Sequence, residues 1–96
     1  MYYRITHATI QSEMYDQAMA TMESIRDSFS EINGLLNSRL IRISETELVG
    51  IAAYESKELL EASQTQYDEL MRNMMPYLAG PPTVSHGNQV LTYDSE

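Results

Sequence analysis

Apolar residues recur along this 96-residue chain with a period near two, then near 3.6, then twice near two, then near 3.6, and finally near two. That succession reads as strand, helix, strand, strand, helix, strand. So short a chain has room for one four-stranded sheet with both helices on one side. The opposite side of the sheet then needs a cover of its own.

Residues 2–10 (YYRITHATI) mix aromatic, β-branched and polar side chains and are expected to form the first strand. Ser12 suits the N-cap of the helix that follows, with Glu13 and Asp16 in the first turn, where the helix dipole favours acids. Tyr15, Ala18, Met22, Ile25, Phe29 and Ile32 then fall at spacings of three and four, a single apolar stripe. Asn33-Gly34 stops that helix with residues that tolerate the left-handed conformation. Leu35 to Ser44 (LLNSRLIRIS) and Glu47 to Ser56 (ELVGIAAYES) predict an antiparallel hairpin turning near Ser44-Glu45-Thr46. In its second strand Leu48, Ala52 and Tyr54 alternate with Val49, Ile51 and Ala53, so both faces are apolar and both are expected to be buried.

Ser56 caps a segment running from Lys57 to about Met75. Its apolar positions shift across the polar patch Ser63-Gln64-Thr65-Gln66, which predicts a break between two short helices near Gln64. Pro76 ends or kinks the second of them, and Gly80-Pro81-Pro82 marks a boundary. Residues 83–93 (TVSHGNQVLTY) are expected to form the last strand, with a bulge or tight turn at Gly87-Asn88, and Asp94-Ser95-Glu96 to fray.

A β-α-β-β-α-β order with one helix after each of the first and third strands is the ferredoxin-like arrangement, an α+β fold forming a single domain over residues 1–96. Right-handed crossovers place both helices on one face of the antiparallel sheet. The first and third strands are central in that topology, and the third is the one that is apolar on both sides. Its own helices cover one side only. A second copy is the simplest cover for the other, giving a homodimer in the form of a dimeric α+β barrel.

Fourteen acidic residues against six basic ones give a formal net charge of −8, and Arg4, Arg26, Arg39, Arg42, Lys57 and Arg72 are scattered along the chain. Phosphate backbones are bound by clustered cations, so neither nucleic acid nor an anionic membrane surface is an expected partner. No stretch approaches the ~20 apolar residues of a membrane-spanning helix. The chain has no cysteine, which excludes disulfides and thiolate metal sites and favours a reducing compartment. It passes into a strand at Tyr2-Tyr3 with no charged-then-apolar leader, and a cytoplasmic protein is the expectation.

Three stretches give the chain a family likeness: Asn33-Gly34-Leu35-Leu36-Asn37-Ser38-Arg39-Leu40, Ala53-Tyr54-Glu55-Ser56-Lys57-Glu58 with the Leu59-Leu60-Glu61-Ala62 helix start, and Met75-Pro76-Tyr77-Leu78-Ala79-Gly80-Pro81-Pro82 before the last strand. In these and in element order the chain resembles the dimeric α+β-barrel proteins grouped with the antibiotic biosynthesis monooxygenases. The resemblance implies a homodimer with sheets face to face, the last strand or tail reaching onto the partner, and a pocket between helices and sheet in each subunit. Relatives include cofactor-free oxygenases of polycyclic aromatics and haem-degrading enzymes. The haem-degrading members rely on a Trp, an Asn and a helix His. This chain has no Trp, and Ser63, Gln64 and Tyr67 stand where relatives often carry His, so haem degradation is disfavoured.

The candidate chemistry is sparse. His7 and His86 lie on strands that neighbour each other in this topology, and would approach if they shared a face. A metal site normally needs at least three protein ligands, so none is expected there. Asn37, Arg39 and Tyr54 on the hairpin and Tyr67 on the second helix are the polar groups able to orient a small ligand against an apolar wall. Either tyrosine can hydrogen-bond a phenol, and Arg39 can stabilise an enolate or phenolate. The plainer alternative makes Arg39 a solvent or interface residue and the tyrosines edges of the core. Six of the seven methionines fall on the helices, either as core filler or as the wall of a malleable pocket. No Gly-rich phosphate loop, Ser-His-Asp order or His-Glu-x-x-His spacing occurs.

Two functions remain open. One is a cofactor-independent monooxygenase-like protein binding a small aromatic or quinone-like molecule between sheet and helices. The other is a non-catalytic dimeric module that binds a small ligand or merely assembles. A cavity of ~300 Å3 or more, lined by several of Tyr54, Tyr67, Arg39, His7 and His86, separates ligand binding from a solid core.

Overall fold

The strand apolar on both faces lies inside the sheet, as its composition demands. The computed structural model describes residues 1–95. Its antiparallel strands β1 (Tyr2–Thr9), β2 (Leu35–Arg42), β3 (Glu47–Tyr54) and β4 (Thr83–Asn88) stand in the order β2-β3-β1-β4. β3 is thus flanked by β2 and β1, and β1 by β3 and β4. The helical segments are α1 (Tyr15–Ile25), α2 (Lys57–Ala62) and α3 (Gln64–Met71). No helix among the described residues is long and apolar enough to cross a membrane.

Register assigns the two faces. Tyr2, Arg4, Thr6 and Ala8 of β1 pair with Tyr54, Ala52, Gly50 and Leu48 and share the helix side. There Leu48 packs with Ile10, Ala18 and Met74, while Ala52 and Tyr54 pack with Ile32 and Leu60. Tyr3, Ile5 and His7 pair with Ala53, Ile51 and Val49 on the outer side. In the single chain that side is covered only at one end, where Ala53 is buried: Ile5 is 43% exposed and Ile41 44%, while Val49 and Ile51 are half-buried. An extra residue, Leu36, interrupts the β2–β3 register between Leu35 and Asn37.

Several boundaries differ from the expectation. Ser12 does not cap α1; its hydroxyl donates to Glu13, and the N-cap position falls on Met14 without a side-chain cap. Gln11 anchors this corner instead, its amide nitrogen donating to the carbonyls of Pro76 and Leu78. The apolar stripe continues to Ile32, but after Ile25 the backbone tightens into a 3-10 turn, Arg26–Glu31. Residues three apart eclipse in that winding, so Phe29 and Ile32 stay on one side. Likewise α3 passes into a 3-10 turn, Arg72–Tyr77, which contains Pro76; proline has no N–H to return to the carbonyl of Arg72, so α-helical bonding cannot continue through it. The break foreseen near Gln64 falls at Ser63, and Ser56 caps α2 by accepting from the Leu59 N–H at 3.1 Å.

β4 is shorter than residues 83–93. It keeps register through Gly87 and Asn88, without bulge or turn, and ends where β1 ends: Asn88 pairs with Tyr2, and the Gln89 N–H reaches the Met1 carbonyl. Beyond that no partner strand remains, and Val90, Leu91 and Tyr93 stand 93, 85 and 86% exposed. Of the expected frayed end, Asp94 and Ser95 are exposed and outside any strand, while Glu96 lies outside the described residues.

At Gly34 the chain turns from the first helical layer into β2 with φ +85°, and a Cβ there would lie 2.6 Å from the Leu59 Cβ. Gly34→Ala therefore combines left-handed strain with a clash against α2, and should cost about 2–4 kcal/mol. A melting temperature lowered by about 8 °C or more is expected for a chain of this size; a shift under about 2 °C would contradict the packing described.

Candidate functional site

Small side chains on the helix side of the sheet leave space beneath the helices. Thr6 and Ala8 of β1, Ser38 of β2 and Gly50 of β3 form one wall, with Leu40, Leu48 and Val84 around them. Facing them are Met22 of α1, Phe29 of its 3-10 extension, Tyr67 and Met71 of α3, and Met74 and Met75 beyond it. The cavity, partly open to solvent, measures about 380 Å3, within the range of small-molecule sites. Four of the seven methionines border it, so they line an opening as well as fill the core. Asp68 and Arg72, one helical turn apart and both exposed, stand at its rim.

The most unusual polar group nearby is Arg4, 1% exposed at the middle of β1. One of its guanidinium nitrogens donates to the Tyr54 hydroxyl at 2.6 Å and another to the Gln64 side-chain carbonyl at 2.8 Å. Its Cζ lies 3.7 Å from the centroid of the Tyr67 ring and 5.1 Å from that of Tyr54, a double cation–π contact. Its Nε is buried with no partner. Neither ion pair among the described residues involves it. A buried cation held only by neutral acceptors is a costly arrangement, and sites of that kind are disproportionately functional.

Of the residues singled out from sequence, Tyr67 lines the cavity and Tyr54 is fully buried behind it as the Arg4 acceptor. Arg39 borders the cavity, but its register partner is Ile51, which puts its side chain on the outer face, where its guanidinium reaches the Ser38 carbonyl. Asn37, opposite Ala53, is on that outer face too. His7 pairs with Thr83 and Val49 on the outer face, its Nε2 3.1 Å from Glu47 Oε2. His86 pairs with Arg4 on the helix side, exposed, its ring 6.3 Å from that of Tyr2. The two histidines therefore point to opposite faces and do not meet. No group of three or more His, Cys, Asp and Glu able to hold a metal occurs among the described residues.

Sequence reasoning passed over Arg4 as one of six scattered bases. Strand alternation held the signal: counting by twos from Tyr2 puts Arg4 on the face that must lie under helices.

No family model matches the chain, and no curated protein matches it significantly. Solved structures do. A monooxygenase from the gene ActVA-Orf6 of Streptomyces coelicolor, in complex with nanaomycin D, aligns with TM-score 0.80 at 14% identity, covering 99% of this chain and 92% of that one. An antibiotic biosynthesis monooxygenase aligns with TM-score 0.78 at 15% identity over 95% of this chain and 100% of its own. NE2512, a protein of unknown function from Nitrosomonas europaea, aligns with TM-score 0.80 at 10% identity over 99% and 94%. At such identities the fold is what is shared: the chain has the α+β fold of the antibiotic biosynthesis monooxygenase-like structures, as the sequence resemblance implied.

Because Tyr54 accepts from a buried cation, Tyr54→Phe removes a charge-assisted hydrogen bond and strands the guanidinium. It should lower unfolding free energy by about 1.5–3 kcal/mol in denaturant titration. A loss below about 0.5 kcal/mol would show that Arg4 does not depend on that hydroxyl.

Proposed function

We propose that this protein binds a small aromatic or quinone-like molecule between sheet and helices, as a dimeric monooxygenase-like protein working without a cofactor. The observation that carries this reading is the cavity of about 380 Å3, walled by Met22, Phe29, Leu48, Met71, Met74 and Met75, with the hydroxyls of Thr6 and Ser38 and the phenol of Tyr67 on its lining. Polarizable thioethers adapt to flat aromatic surfaces, and a lone phenol is enough to orient a carbonyl or hydroxyl on such a ring. Support comes also from the shared fold, one example of which holds nanaomycin D. A cytoplasmic setting belongs to the same reading, from the absence of cysteine.

A second reading, a binding or assembly module without catalysis, is favoured by the wall itself. Neither histidine is on it, and its one carboxylate among the described residues, Asp68, is exposed and accepts from the Gln64 amide at 2.8 Å. Binding is therefore the firmer part of the proposal and oxygen chemistry the part to be tested.

The dimer rests on the outer face. Ile5, Ile41, Val49 and Ile51 form an apolar strip across three strands, and the tail bearing Val90, Leu91 and Tyr93 leaves the domain beside it through Gln89, which accepts from the outer-face Tyr3 hydroxyl. Two such faces back to back would bury both strips, with each tail laid on the partner.

A thermal-shift screen against quinones, flavonoids and haem tests the ligand. At ten times its dissociation constant a true ligand adds about 1.4 kcal/mol, a rise of roughly 6 °C or more for this chain length. Met71→Trp, which fills the cavity, should abolish the rise. A uniformly flat screen would remove the ligand and leave assembly. Light scattering should give about twice the 11.0 kDa chain mass, and Ile51→Asp should yield monomer or unfolded chain. A wild-type monomer at micromolar concentration would overturn the dimer.

A further inference from the structure

Among the described residues Arg4 is the one buried charge beside the cavity, and none of them forms an ion pair with it. Its hydrogen-bond partners, Tyr54 and Gln64, are neutral, and its Nε has none. The ring on which it stacks, Tyr67, is itself part of the cavity wall, as is Thr6 two residues along the same face of β1. The guanidinium thus sits one aromatic ring behind the space where a ligand would lie. The remaining charges do not cancel it. Asp68 and Arg72 oppose each other at the exposed rim, Arg39 points to the outer face, and His86, across the β1–β4 ladder from Arg4, is exposed. The fourteen acids that give the chain its charge of −8 make the surface repel anions, so any attraction for one must be local.

We propose that the cavity selects the anionic form of its aromatic ligand, a phenolate, enolate or carboxylate, and that Arg4 is the residue that sets this preference. The inference rests on the ligand-binding reading above and goes beyond it in naming the charge of the ligand. A 3.7 Å stack plus one van der Waals contact puts the two charges on the order of 7 Å apart, across protein and not water. At that range, with the low effective dielectric of a covered site, attraction is worth at least about tenfold in affinity. The same contact explains why Arg4 is tolerated without a carboxylate of its own: the ring faces and two neutral acceptors hold it, and the ligand completes it.

The test uses two near-isosteric probes, β-naphthoate and β-naphthamide, titrated into the full chain at neutral pH. Naphthoate should bind at least about tenfold more tightly than naphthamide, and Arg4→Gln should bring the ratio close to one. Equal affinities in the wild type, a preference for the amide, or a ratio that survives in a folded Arg4→Gln overturns the assignment while leaving the cavity a ligand site. Failure of both probes to bind overturns the ligand-binding reading and this inference with it. Should Arg4→Gln not fold, the wild type alone decides, through a second probe. The phenolate absorbance of bound para-nitrophenol should appear about one pH unit below that of the free dye, the same tenfold preference read spectroscopically; an unchanged or higher midpoint refutes it.

Discussion

A buried cation ties the two layers of this domain together. Arg4 rises from the central strand β1, its guanidinium meets Tyr54 on β3, Gln64 at the start of α3 and the ring of Tyr67 one turn later. Sheet and helices are therefore registered on each other by directional contacts as well as by apolar packing. The arrangement needs the helix break at Ser63. That break turns Gln64 and Tyr67 toward the sheet, and Ser63, itself buried, closes its own hydroxyl onto the Leu60 carbonyl. Arg42 performs a smaller version of the task at the opposite corner, stacking on Tyr15 at the head of α1 while its nitrogens hold the Ser44 and Glu45 carbonyls of the hairpin turn.

The sheet separates two kinds of surface. On its helix side, Thr6, Ala8, Ser38 and Gly50 are small, which leaves a hollow between the two packed clusters of the core. On its outer side, branched aliphatics stand in a row with little over them, and His7 meets Glu47 near one end. A cavity and an uncovered apolar strip can coexist in so small a chain because alternation sends consecutive residues of one strand to opposite faces.

Much of this was legible in the sequence, and the failures share a cause. The β-α-β-β-α-β order places β3 inside the sheet, and the double-faced apolarity of Leu48 to Tyr54 agrees with that place between β2 and β1. The polar patch after Ala62 announced the helix break. What the pattern could not show was where a partner runs out. Gln89 to Tyr93 look like a strand by composition, yet β1 begins at Tyr2, and past the hydrogen bond from Gln89 to the Met1 carbonyl nothing is left for them to pair with. Site residues were harder still. Asn37 and His7 are the right types for a pocket, but strand register sends them to the outer face, and Arg39 borders the cavity from that face, whereas Arg4 required counting from Tyr2 along an unremarkable strand.

Both long helical layers finish in 3-10 winding, at Arg26–Glu31 and Arg72–Tyr77. Each such turn rises about 2.0 Å per residue against 1.5 Å in an α-helix, so six residues gain roughly 3 Å of reach over the sheet. The gain comes with poorer hydrogen-bond geometry. Phe29, Met74 and Met75 are carried on these stretched turns, so the roof of the cavity is hung from its most weakly bonded backbone. Loosening of either turn would change the width of the space beneath it before it disturbed the sheet.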